Sequence, residues 1–235
     1  MGGQACVLFG AAEFSRDLDL TIAVDAANLQ RVRGALQELN AETVFVPDLS
    51  EEALQRGHAC HFRCRAAGVE ELRIDVMNRM RGCPDFDTLW ERRAIVEIPE
   101  IGALPVLSLP DLVRAKKTQR DKDWPMIRRL IETDIAERIE STDSVSNAPR
   151  VEFWFQECRT PSLLIELAKR FPDICEVQVH RRPLLAWAWE PNLTGLENAL
   201  AQEEREERQK DTQYWTPLKK ELEQWRHERR RESAD

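Results

Sequence analysis

"GAAEFSRDLDLTIAV" (Gly10–Val24) is the stretch whose reading decides the fold. Leu18, Leu20, Ile22 and Val24 alternate there with Asp17, Asp19, Thr21 and Ala23. That period of two predicts a strand with one apolar face and one polar face. Asp17 and Asp19 then project from the same side, because alternate residues of a strand point the same way. Two carboxylates so placed repel each other, and one tends to stay protonated unless a positive charge sits beside them.

Working outward, Asp25 predicts the N-cap of a helix through Leu39, with Leu29, Val32, Leu36 and Leu39 on one stripe. On the other side, Gln4–Phe9 is apolar and reads as strand or helix, since a short run does not separate the two by period. Thr43–Pro47 predicts a short strand, and Leu49–Gln55 a short helix ended by Gly57. "HACHFRCR" (His58–Arg65) and "ELRIDVMN" (Glu71–Asn78) predict a hairpin turning through Ala67 and Gly68. In its second arm Leu72, Ile74 and Val76 share one face, while Arg73 and Asp75 take the other. Asp75 thus repeats the placement of Asp17 and Asp19. A third acid on a neighbouring strand completes a triangle of hard oxygen ligands suited to Mg²⁺, which binds a few carboxylates together with phosphate oxygens. Two such ions can clamp the attacking and leaving oxygens of a phosphoryl or nucleotidyl transfer.

Ala94–Leu109 predicts two further strands turning near Gly102, and Ser108 or Asp111 caps a helix starting near Pro110. Pro125 should break that helix, giving two that meet near Lys122–Trp124. Ser141–Pro149 has linker composition. Thr160-Pro161 opens a helix through Lys169, and the Trp-rich "RRPLLAWAWEP" reads as an apolar knot buried against the first domain. From Leu193 the chain is highly charged; "EEREERQK" is either a solvent-spanning helix or partly frayed, and Leu218, Leu222 and Trp225 regain a stripe. The expected division is 1–140, a linker at 141–149, and a helical region at 150–235.

Taken together, Gly2-Gly3, a thirteen-residue spacer and Asp17-Leu18-Asp19-Leu20 resemble the DNA polymerase β-like nucleotidyltransferase superfamily. The closest look is to the bacterial nucleotidyltransferases of toxin–antitoxin and abortive-infection systems. Those carry a later Lys-x-x-x-Arg-x-Lys-Asp segment, matched here by Lys116, Arg120, Lys122 and Asp123. Ser15 stands where they have threonine, and the third acid fits Asp75 in "LRIDVM". The resemblance spans about 1–140.

It implies an α/β (α+β) fold, a nucleotidyltransferase mixed sheet flanked by helices, with a helical C-terminal region. It implies Asp17, Asp19 and Asp75 as catalytic metal ligands, with Asp75 helping to deprotonate the acceptor hydroxyl. It implies nucleotide contacts from Gly2, Gly3, Ser15, Arg16, Lys116, Arg120 and Lys122; Asp123 reads as a cap or as the partner of a neighbouring base. The expected reaction is Mg²⁺-dependent transfer of an NMP from an NTP, with ATP the expected nucleotide, to a protein or tRNA hydroxyl, releasing pyrophosphate. The alternative is a non-catalytic scaffold acting as antitoxin or adaptor, and either role implies a cognate toxin or antitoxin partner or a homodimer. Two departures stand out. Glu13 replaces an arginine common in such sequences, and the apolar strand expected before Gly-Gly either lies upstream of Met1 or is missing from the sheet.

A net charge of −8 argues against a broad nucleic-acid footprint. No apolar run approaches the roughly 20 residues of a membrane helix. Six cysteines without framework spacing predict reduced thiols in a cytoplasm. "HACHFRC" invites a zinc reading, but no second cluster follows it, and Cys60, Phe62 and Cys64 fall together as core residues would.

Overall fold

A computed structural model of the chain describes residues 1–143 and 146–232. It divides into two compact units, one of residues 1–115 with the segment from 211 onward, the other of residues 116–210. The architecture is mixed α+β.

In the first unit, helix α1 (Gly2–Leu8) resolves the ambiguous apolar run. Strand β1 (Asp17–Thr21) follows, then helix α2 (Ala26–Glu38), whose cap is Asp25 accepting from the Asn28 N–H at 2.9 Å. Strand β2 is only Glu42–Thr43, shorter than the expected Thr43–Pro47. Pro47 has no N–H to continue a ladder, although Val44 N–H still reaches the His61 carbonyl at 2.8 Å. Helix α3 (Glu51–Gln55) is capped by Ser50 and ends before Gly57, whose φ of 96° suits a residue without Cβ. Strands β3 (Cys60–Arg63) and β4 (Arg73–Met77) form the expected antiparallel hairpin, with Gly68 at φ 86° in its turn.

The sheet order is β1-β4-β3-β2, with β1 and β4 parallel. One face of this sheet is greasy. Ile22, Cys60, Phe62, Cys64, Ile74 and Val76 pack with Leu29 and Leu36 of α2 and Leu54 of α3, and Leu18 and Leu20 join them. Each such side chain contributes about 1.5–3 kcal/mol through burial, so a one-residue slip in any strand would forfeit the core and expose it. The opposite face is polar and carries the acids.

Helix α4 (Phe86–Glu91), unforeseen in the sequence, is capped by Asp85. Strands β5 (Ala94–Ile98) and β6 (Gly102–Val106) form a separate two-stranded sheet. Helix α5 (Leu109–Lys116) begins after Ser108, whose Oγ accepts from Asp111 N–H and donates to its carboxylate.

In the second unit, helix α6 (Asp123–Arg138) carries Pro125 in its first turn, where an N–H has no intrahelical acceptor to lose. The helix break therefore falls at 117–122, earlier than expected. Helices α7 (Ala148–Glu157), α8 (Pro161–Arg170), α9 (Pro172–Val179) and α10 (Ala186–Trp189) follow. Asp134 of α6 accepts from Arg150 and from the Trp154 indole, both at 2.8 Å. Those bonds tie together the segments on either side of the expected 141–149 linker, so no division falls there; Ser144 and Val145 of that linker lie outside the described residues. The tryptophan knot is also less buried than expected. Leu185 and Ala188 point inward, while Trp187 and Trp189 stay 45% and 46% exposed.

Helix α11 (Leu193–Glu232) runs continuously through Pro217. Thr216 Oγ1 donates to the Thr212 carbonyl at 2.7 Å in the turn before that proline. Its portion after 211 belongs to the first unit. There Glu221 meets buried His58 at 2.6 Å, Trp225 packs on the same imidazole with centroids 4.6 Å apart, and Asp211 pairs with Arg81 at 3.1 Å. No helix among the described residues is long and apolar enough to cross a membrane.

Candidate active site

The polar sheet face is a grid of charge. Parallel pairing places Asp19 directly beside Asp75 and Asp17 beside Arg73. Antiparallel pairing places His61 beside Asp75 and Arg63 beside Arg73. Two rows result, Asp19–Asp75–His61 and Asp17–Arg73–Arg63, crossing β1, β4 and β3. All three expected acids thus share one face, away from the greasy interior.

Asp75 is held on two sides. His61 Nδ1 lies 2.8 Å from its Oδ1, and Arg73 donates to both oxygens at 3.2–3.3 Å. Burial alone would raise the Asp75 pKa, but the hydrogen bond and charge of His61 and the charge of Arg73 outweigh it and hold the carboxyl below the usual range.

Asp19 meets the glycine pair. Gly3 N–H donates to its Oδ2 at 3.4 Å, and a Cβ added at Gly2 would fall 1.8 Å from the same oxygen. A Cβ at Gly3 would fall 2.3 Å from Ser15 Oγ. Gly2 also sits at φ 68°. The glycines are thus required for the seating of α1 on β1, a packing reason beside the expected approach of phosphates. Ser15 Oγ donates to the Asp17 carbonyl at 3.1 Å, and the exposed Arg16 lies 6.0 Å from the Phe14 ring centre.

The other expected contacts belong to the second unit. Lys116 Nζ reaches Asp123 at 2.9 Å, Arg120 Nε reaches it at 2.9 Å, and Thr118 Oγ1 donates to it at 2.6 Å. Asp123 is fully buried. Burial would raise its pKa, yet the charges of Lys116 and Arg120 and the Thr118 hydroxyl bring it below the ordinary value. It is the partner of neighbouring bases, as expected. Lys122 stands at the loop end just before α6.

Asp17, Asp19 and Asp75 carry the hard oxygen donors that a divalent cation takes, and they stand on one sheet face. Among the described residues no three His, Cys, Asp or Glu converge as a metal group, and the Asp75 carboxylate is already shared by His61 and Arg73. The zinc reading fails on geometry. His58 is committed to Glu221 and Trp225, His61 to Asp75 on the other face, and Cys60 and Cys64 are core thiols. A cleft of about 750 Å³ lies beyond the carboxyl ends of β1 and β4, lined by Asp25, Asn78, Arg79, Cys83, Asp85 and Tyr214 among others, and none of the three acids borders it.

His61 is the site residue that sequence reasoning missed. Its signal was present, since His61 and Asp75 are each seven residues from Gly68 and must face each other in a hairpin turning there. No protein-family model, no curated protein and no solved structure matches the chain.

Proposed function

We propose that the protein is a metal-dependent nucleotidyltransferase, moving an NMP from an NTP to a hydroxyl of a protein or of RNA such as tRNA. The observation that carries this reading is the register of Asp19 against Asp75, with Asp17 on the same face. Asp17, Asp19 and Asp75 would hold Mg²⁺, which when bound supplies positive charge to the phosphate oxygens. In the reaction the acceptor oxygen forms a bond to the α-phosphorus, the bond to the bridging α–β oxygen breaks, and pyrophosphate leaves. Asp75, kept ionised by His61 and Arg73, accepts a hydrogen bond from the acceptor hydroxyl and takes up its proton as the new bond forms, passing it on to water. Gly2 and Gly3 keep the helix seated so that no Cβ displaces the Asp19 carboxylate. Lys116 and Arg120, expected from the resemblance as nucleotide contacts, instead hold the buried Asp123 carboxylate.

The neutralisation of Asp75 by His61 and Arg73 favours a second reading, a non-catalytic scaffold of the same fold serving as antitoxin or adaptor. One experiment separates them. The protein is incubated with Mg²⁺, each labelled NTP in turn, and cellular protein or tRNA. Label appearing on one pool and abolished by Asp19→Ala, with folding intact by circular dichroism, supports the enzyme. Labelling by no NTP, or labelling insensitive to that substitution, supports the scaffold.

A further inference from the structure

We infer that Arg63 and Arg73 form a phosphate-binding pair that takes the triphosphate of the nucleotide, an inference that rests on the nucleotidyltransferase reading. The two arginines face each other across β3 and β4 in direct register, on the same sheet face as the acids and one row away. Like charges directly opposite on neighbouring strands destabilise a sheet, so this placement needs an offsetting anion. The protein's own anions offset it only in part. Arg63 uses one terminal nitrogen on Glu71, which is 59% exposed and shared with Arg65. Arg73 uses one terminal nitrogen on Asp75 at 3.2 Å. Glu42, which faces Arg63 in register, spends its carboxylate on Arg65 at 3.1 Å.

What remains points to a ligand. The Nε of Arg63 and the Nε of Arg73 are both buried and without a hydrogen-bond partner. A buried donor left unmade costs about 1–3 kcal/mol. Both side chains keep access to solvent, at 38% and 36% exposed, so an incoming oxyanion can reach their forks. A guanidinium offers five donors in a planar fork matched to phosphate oxygens. Arg73 sits beside Asp17 and Arg63 one strand further, with strands spaced about 4.8 Å apart. That span suits a triphosphate lying across the sheet from the acids outward, with the cation held by the acids offsetting their repulsion for it.

The test is isothermal titration of the full chain with inorganic tripolyphosphate in the presence of Mg²⁺. Arg63→Gln and Arg73→Gln should each weaken binding at least tenfold, and Arg63→Lys should fall between Arg63→Gln and the unsubstituted chain, because it keeps the charge and loses the fork. Thermal melts within a few degrees of the unsubstituted protein establish folding, and the Arg63→Lys comparison stands if a glutamine variant fails that check. Affinity equal in all four proteins, or no binding to the unsubstituted one, overturns the inference. The outcomes are separable from those of the transfer assay. Arginine-dependent tripolyphosphate binding without any label transfer leaves the phosphate site standing and removes the enzyme; transfer whose KM for NTP ignores both arginines removes the phosphate site and leaves the enzyme.

Discussion

Asp123→Asn strikes a deeply buried ion pair in the second unit. The Asp123 carboxylate is 0% exposed and the Lys116 side chain 8%, with 2.9 Å between them. Thr118 and Arg120 share the other oxygen. Asparagine keeps one acceptor and places an NH₂ against donors, leaving the Lys116 ammonium buried without a counter-charge. Breaking one partner of such a pair costs about 3–5 kcal/mol. Hydrogen exchange of peptides from α6, read by mass spectrometry, reports on this unit directly; a loss of that size accelerates exchange roughly a hundredfold or more. The pH dependence has a fixed sign. The folded pKa of Asp123 is lowered, so its contribution is complete above the unfolded value of about 3.9 and fades as pH falls through the folded value. The gap between the two proteins should stay constant from pH 7 to about 5 and narrow below about 4. A gap under about 1 kcal/mol at pH 7, or one that persists unchanged to pH 3, refutes the ion-pair argument.

Two further outcomes follow from the geometry. Gly2→Ala combines a left-handed backbone, worth about 1–2 kcal/mol against alanine, with a Cβ placed 1.8 Å from Asp19 Oδ2. It should lower the melting temperature, and in an Asp19→Gly background the steric part should vanish, leaving coupling of at least about 1 kcal/mol in the double-mutant cycle. Burial pushes the thiols of Cys60, Cys83, Cys158 and Cys175 up to about 11. Alkylation of the native chain at pH 8 should therefore be slow at these four, and all six cysteines should react quickly in urea.

Much of the first unit was legible because its signals are local. The alternation from Asp17 to Val24, the Asp25 cap and the Gly68 turn each name one element, and the turn also sets the register that brings His61 beside Asp75. The limits are equally physical. Pro125 reads as a breaker, but only tertiary contacts reveal that Asp123 gathers Lys116, Thr118 and Arg120 into the true break before it. The polar run at 141–149 reads as a boundary, while Asp134 binds Arg150 and Trp154 across it. "EEREERQK" offers no apolar stripe, and the helix carrying it is continuous with a segment anchored by Glu221 and Trp225 on His58. Of the site, the acids were legible from strand period. The hold of His61 on Asp75 required combining turn position with pairing.

The most direct measurement is Mn²⁺ binding by electron paramagnetic resonance, with Mn²⁺ standing in for Mg²⁺, in the unsubstituted protein and in Asp17→Asn, Asp19→Asn and Asp75→Asn. Saturable binding lost with Asp17 or Asp19, and weakened at least tenfold with Asp75, is the expected result for three acids acting as one cation site. Identical Mn²⁺ isotherms in all four proteins would contradict it and leave the acid row as a structural feature of the sheet.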